Sequence, residues 1–170
     1  MTSRAIADSG SAGDFRFVLP VDVRFRDTDA MGHVNNAVYL TYFEAARAGY
    51  YRALSGHAFE GITEQPVSII LASATLDFRS PAFFGEQLLV ACRVTWAGRS
   101  SFELAYRINV DAGSSRGPHR LVADGRTIQV MYDYRRGSPV RIPAELRAQM
   151  ADFEGRPIPP RPTELRPRSA

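Results

Sequence analysis

The stretch VDVRFRDTDAMGHVNNAVYLTYFEAARAGYYRAL, Val21 to Leu54, changes its hydrophobic period part-way along. Val21, Val23 and Phe25 alternate with Asp22, Arg24 and Arg26, the period-two pattern of a half-buried strand. From about Asn36 to Leu54, Tyr39, Tyr42, Phe43, Tyr50 and Leu54 recur at helical spacing, and Ala45, Ala46, Ala48 and Gly49 between them let such a helix approach a neighbour closely. Between the two periods lies RDTDAMGHVNN, Arg26 to Asn36, which gathers two aspartates, a histidine and two asparagines around a single glycine. The chain predicts a strand, a polar turn and one long helix, in that order.

Downstream, four more alternating segments follow: Val67 to Arg79, Gln87 to Trp96, Ser101 to Val110 and Arg120 to Tyr132. The breaks between them, SPAFFGE, AGRS and DAGSSRGPH, have the Gly, Pro and Ser content of short connections between antiparallel neighbours. After Pro143, AELRAQM predicts a short second helix, with proline suited to its start. One long helix followed by a meander implies an α+β chain of the hot-dog kind, a curled antiparallel sheet wrapped around one long central helix.

The 170 residues, 45% of them hydrophobic, suffice for one domain with a sizeable core. We expect it over residues 15–153, after a flexible leader (1–14) rich in Ser, Gly and Ala and before a Pro/Arg-rich tail (154–170). Twenty-one basic against 18 acidic side chains give a net charge of +3 without any dense basic run, which argues against a nucleic-acid partner. The basic residues are all arginine, so arginine at any one place says little about anion recognition. The lone Cys92 lies in phase with Leu88, Val90, Val94 and Trp96 and reads as a small core residue. Neither an apolar leader segment nor a run of ~20 apolar residues is present, so a cytoplasmic protein without a membrane partner is expected.

The polar turn carries the chemistry. An asparagine at the helix start, Asn35 or Asn36, satisfies an orphan amide, and the remaining amides with the helix dipole favour negative charge there. A carbonyl oxygen held at that end would be polarised. Asp29, a few residues upstream, is placed to act as nucleophile or as general base for water. Gly32 suits a tight backbone conformation, and His33 adds a donor or acceptor at the same mouth. Each also has an ordinary structural role, as cap, solvated turn carboxylate or turn glycine, and it is their conjunction that points to a site.

Asp27 to Glu44, DTDAMGHVNNAVYLTYFE, resembles the signature of hot-dog acyl-CoA thioesterases of the 4-hydroxybenzoyl-CoA thioesterase-like group. The resemblance continues through LDFRSPAFFGEQLLV, WAGRSSFELAYRI and VRIPAEL, and covers roughly residues 15–153. It implies that Asp29 is the catalytic carboxylate, that Asp27 orients the turn, and that the amide polarising the thioester carbonyl falls near Asn36. His33 matches a histidine that joins the aspartate in a branch similar to plant acyl-carrier-protein thioesterases, although Met31 stands where that branch has asparagine. Arg99, Ser100 and Ser101 match the turn that meets the nucleotide end of coenzyme A, with an ordinary hairpin connection as the competing reading. A homodimer or dimer of dimers is implied, with each active site at the dimer interface. The run SIILASATLDF, apolar on one face at an open sheet edge, points the same way.

Other chemistries fit less well. Hot-dog hydratases resemble Asp-X-Asn-Pro-X-His, whereas Asp29 and His33 are four apart with no proline between them. No Gly-X-Ser-X-Gly elbow occurs, and the three scattered histidines, His33, His57 and His119, do not suggest a metal site. The expectation is therefore a thioester hydrolase with no cofactor other than coenzyme A as part of its substrate. The alternative from another class is a non-catalytic protein that binds acyl-CoA or acyl-carrier protein.

Overall fold

The computed structural model describes residues 15–55, 67–114 and 118–163; the expected leader, His57 and the last seven residues of the tail lie outside them. Its first strand, β1 (Phe17–Asp22), begins and ends earlier than the alternation predicts. It pairs antiparallel with β3 (Gln87–Ala97), from Phe17 against Cys92 to Asp22 against Gln87, so β1 stops where its partner starts. Arg24 then captures Asp27, and Phe25–Asp27 form a single 3-10 turn. Phe25, which the alternation had turned inward, is 77% exposed and sits edge-on to the ring of Phe84.

The remaining strands, β2 (Val67–Phe78), β3, β4 (Ser101–Val110) and β5 (Leu121–Asp133), match the four expected segments to within a few residues. A short β6 (Ser138–Pro139) extends β5 as a hairpin. The sheet is antiparallel with the order β1-β3-β4-β5-β2. Against it lies α1 (Val38–Ser55), which buries Tyr39, Tyr42, Phe43, Ala46, Tyr50 and Tyr51. Leu88, Val90, Cys92 and Val94 of β3 and Leu104, Tyr106 and Ile108 of β4 complete the core. Cys92 is thus the core residue its phase implied, and burial pushes its thiol well above the ordinary range.

The expected second helix is α2 (Ala144–Glu154). Its last residue, Glu154, is buried and accepts hydrogen bonds from the Tyr50 hydroxyl (2.6 Å) and the Val94 amide (2.9 Å). One carboxylate therefore joins α2, α1 and β3. Gly155 turns the chain in the left-handed region, and part of the Pro/Arg-rich stretch that follows docks on β3. Ala97 donates to the carbonyl of Pro159 (2.9 Å), and the Arg161 guanidinium stands over the ring of Trp96.

The two sheet edges differ. β1 is short and carries Pro20, which has no amide to offer a further strand. β2 is 12 residues long and exposes Ile70, Leu71 and Phe78, a combination that invites pairing with another strand.

Candidate active site

The turn between β1 and α1 is tied down from several sides. Within it, Thr28 bridges Val34, the Asp29 amide donates to the His33 carbonyl (3.0 Å), and the Gly32 amide donates to the Asp29 carbonyl (3.0 Å). Gly32 has φ +81 with open space around it, so glycine is required for its backbone angle and not for room. The Val34 amide donates to the Ala82 carbonyl (2.8 Å), which fixes the turn to the β2–β3 connection.

Beneath the turn sits Asp27. Its buried carboxylate accepts from the Arg24 amide (2.9 Å), Arg24 Nε (3.0 Å), an Arg24 terminal nitrogen (2.9 Å) and the Tyr42 hydroxyl (3.1 Å). Burial pushes this carboxyl up, but the hydrogen bonds from Arg24 and Tyr42 outweigh it and hold the group below the usual carboxylate range. Burial and the adjacent carboxylate together push the Tyr42 hydroxyl far above its ordinary value. The Asp27 carbonyl also receives the Asn35 amide (2.9 Å), so a single residue anchors both ends of the turn.

The two asparagines divide the work at the helix start. Asn35 Oδ1 accepts from the Ala37 amide (2.9 Å), and its carbonyl accepts from Val38 (2.9 Å), so Asn35 is the capping residue. Helical structure begins at Val38, two residues later than the periodicity suggests. Of the five amides from Val34 to Val38, the Asn36 N–H alone has no acceptor among the described residues. It stands at the positive end of an 18-residue helix.

Asn36 and His33 line an open cavity of about 260 Å³ together with Val34, Tyr39, Phe78, Arg79, Ser80 and Pro81. Asp29 is not among the lining residues; its Oδ1 stands 3.9 Å from Nδ1 of His33, which is, a separation beyond hydrogen-bonding distance. That oxygen accepts from the Met31 amide (2.9 Å), while Oδ2 has no donor among the described residues. His33 Nδ1 lies 3.2 Å from the Val34 carbonyl. The structure therefore brings Asp29, His33 and Asn36 together. The wall from Phe78 to Pro81 was not legible as part of the site, because it reaches the helix start only where the Val34–Ala82 hydrogen bond ties the turn to the β2–β3 connection. Two of that wall's polar groups are already engaged: Arg79 Nε donates to Asp124 (2.6 Å) and Ser80 Oγ to the Leu121 carbonyl (2.6 Å).

Arg99, Ser100 and Ser101 are elsewhere. They form the β3–β4 turn, at the opposite end of β3 from the Asp29 turn, and the 11 residues of β3, at about 3.3 Å each, make roughly 36 Å of strand from one end to the other. This turn lines a second cavity of about 520 Å³ with Gly98, Arg147, Pro160 and Arg161. Arg147 braces it by donating to the carbonyls of Ala97 (3.1 Å) and Gly98. Among the described residues, no three His, Cys, Asp or Glu side chains gather as a metal-ligand set.

Residues 23–150 match the family model of the thioesterase-like superfamily. The chain belongs to that superfamily. This thioesterase is 28% identical over 136 residues to the acyl-CoA thioesterase YbgC of Haemophilus influenzae, covering 79% of this chain and 94% of that one. It is 30% identical over 137 residues to the 1,4-dihydroxy-2-naphthoyl-CoA hydrolase of Nostoc punctiforme, covering 78% and 88%. A crystal structure of a thioesterase from Thermus thermophilus, complexed with coenzyme A and Zn, superposes with a TM-score of 0.71 at 32% identity, over 85% of this chain and 98% of that one. The fold is the expected hot-dog arrangement, and the protein is a thioester hydrolase. No helix among the described residues is long and apolar enough to cross a membrane.

Proposed function

We propose that this enzyme hydrolyses acyl-CoA, releasing a free acid and the coenzyme A thiol, at the cavity where α1 begins. The observation that carries the reading is the unengaged Asn36 amide at the positive end of α1, on a cavity also lined by His33, whose Nδ1 has the Asp29 carboxylate 3.9 Å away. A thioester carbonyl oxygen seated on that amide gains its negative charge against a fixed donor as the carbon is attacked. Asp29, with Oδ2 free of donors, attacks the carbon or takes a proton from the attacking water. His33 stands beside it as a further polar partner for the leaving thiol or the water. The chemistry calls on no metal and no redox cofactor.

The remote position of Arg99 gives this reading a quaternary consequence. Within one chain the Arg99–Ser101 turn is too far from Asp29 to hold the nucleotide of the same coenzyme A. In β2, Phe78 lies at the Asp29 end and Val67 at the other, so antiparallel pairing of two β2 strands across a two-fold would bring each Arg99 turn to the end of the joined sheet that holds the other chain's Asp29. The exposed Ile70 and Leu71 are the groups such pairing would cover. We therefore infer a homodimer, alone or as half of a tetramer, acting in the cytoplasm. Light scattering should give the mass of two or four chains; a fully active monomer at micromolar concentration would contradict it. The reaction is tested by following thiol release from a panel of acyl-CoAs with a thiol reagent. Stoichiometric thiol and acid are expected, and binding without release would refute the reading.

A further inference from the structure

Along the face of α1 that leads inward from the cavity, Tyr39 is followed one turn later, about 6 Å on, by Phe43. Tyr39 meets the ring of Phe78 edge-on at 5.2 Å, and both line the cavity. Behind it the space between helix and sheet is full. Phe43 stacks on Tyr106 with ring centroids 4.2 Å apart and planes 11° apart. Its far edge rests on Gly125, where a Cβ would stand 2.8 Å from Phe43 Cε2 and 2.3 Å from the Thr75 carbonyl. The absence of a side chain at 125 is what lets the ring reach the strand. Tyr106 is held in turn by a 2.9 Å hydrogen bond with Thr127 Oγ1, which also accepts from Gln129 Nε2 (2.8 Å). Phe43 and Tyr106 are 1% and 2% exposed.

We propose that Phe43, clamped between Tyr106 and Gly125, sets the size limit of the acyl group, so that the enzyme takes compact acyl groups, a short chain or a single ring, and rejects long chains. The proposal rests on the reading that the thioester reacts at the Asn36 amide. From there an acyl group passes Tyr39 and Phe78 and then meets a close-packed aromatic pair. A longer chain has to unseat Phe43, and forcing extra methylenes into such packing carries the cost of overfilling a core.

The test is the ratio of kcat/KM values for butanoyl-, benzoyl- and decanoyl-CoA in the wild type, Phe43→Leu and Phe43→Ala. Wild type should favour butanoyl- and benzoyl-CoA over decanoyl-CoA by about 10- to 100-fold, the factor that overpacking of this kind implies. Phe43→Ala should raise the decanoyl-to-butanoyl ratio at least about tenfold, in keeping with the space that removing a buried ring opens. Phe43→Leu, which keeps most of the packing, should raise it less, and it serves if the alanine variant does not fold. Wild type that hydrolyses decanoyl-CoA as well as butanoyl-CoA would overturn the proposal. So would folded Phe43 variants with an unchanged ratio. Asp29→Asn assayed alongside keeps the two questions apart: undiminished turnover there moves the reaction to another site, whereas only the ratio between acyl lengths bears on Phe43.

Discussion

Replacing Asp27 with asparagine probes the foundation on which the catalytic turn rests. The carboxylate accepts three hydrogen bonds from Arg24 and one from Tyr42. Three of the four fall on Oδ2, so an asparagine with its oxygen there loses the bond at Oδ1, where its NH2 faces a guanidinium nitrogen, and strips the charge from the other three. Hydrogen bonds to charged groups contribute about 1.5–3 kcal/mol each. The Arg24 side chain is 49% exposed and regains water, which discounts its share. What remains is a destabilisation of about 2–4 kcal/mol, and at ~2–4 °C per kcal/mol for a chain of this size the Tm should fall by about 4–16 °C. The acid limb should change as well. Because the folded Asp27 carboxyl is held below its unfolded value, its contribution is complete above the unfolded pKa of ~3.9 and is lost as pH falls through the lower folded value. The variant lacks that part of the acid-induced loss. Turnover below the new Tm should fall by about 10- to 100-fold, since the Asp27 carboxylate also holds Tyr42 beneath the helix start. Thermal unfolding at pH 7 and pH 3 with parallel thiol-release assays measures all three. A Tm within about 2 °C of wild type with unchanged kcat/KM would refute the anchoring role.

Asn36→Pro deletes the one amide assigned to the oxyanion at a position before the first helical residue, where proline is tolerated; kcat should fall by about 100-fold with fold and mass retained, and an unchanged rate would reject the assignment. Incubation with EDTA should leave the rate of acyl-CoA hydrolysis unchanged. Activity that disappears and returns with a divalent metal would contradict the metal-free mechanism.

Where local pattern decides structure, the sequence was readable. The run from Tyr39 to Leu54 and the four downstream strands declared themselves by period, because side chains on a buried face must repeat at 3.6 or 2 residues. The first strand was misplaced because its alternation runs on through Arg24, Phe25 and Arg26. Its true end is set by where β3 begins, more than 60 residues away, and by the capture of Asp27. The same division holds at the site. Asp29, His33 and Asn36 occupy one contiguous turn and were legible together, whereas which asparagine caps and which leaves its amide open depends on backbone geometry. Tyr39 meets Phe78, and Phe43 meets Tyr106 and Gly125, only through the packing of α1 against strands far along the chain. Glu154, grouped by composition with the tail, owes its burial to Tyr50, 104 residues earlier. The placing of Asp29 and Arg99 at opposite ends of β3 likewise has no trace in their sequence spacing.

The central claim is that the Asp29 carboxylate performs the chemistry, and kcat for Asp29→Asn on an acyl-CoA that the wild type turns over well tests it most directly. The substitution preserves shape and retains an oxygen for the Met31 amide while removing the charge that attacks or takes the proton. The account predicts a fall of about 100-fold or more in kcat, with KM and the oligomeric mass little altered. Near wild-type turnover by the folded variant would contradict it.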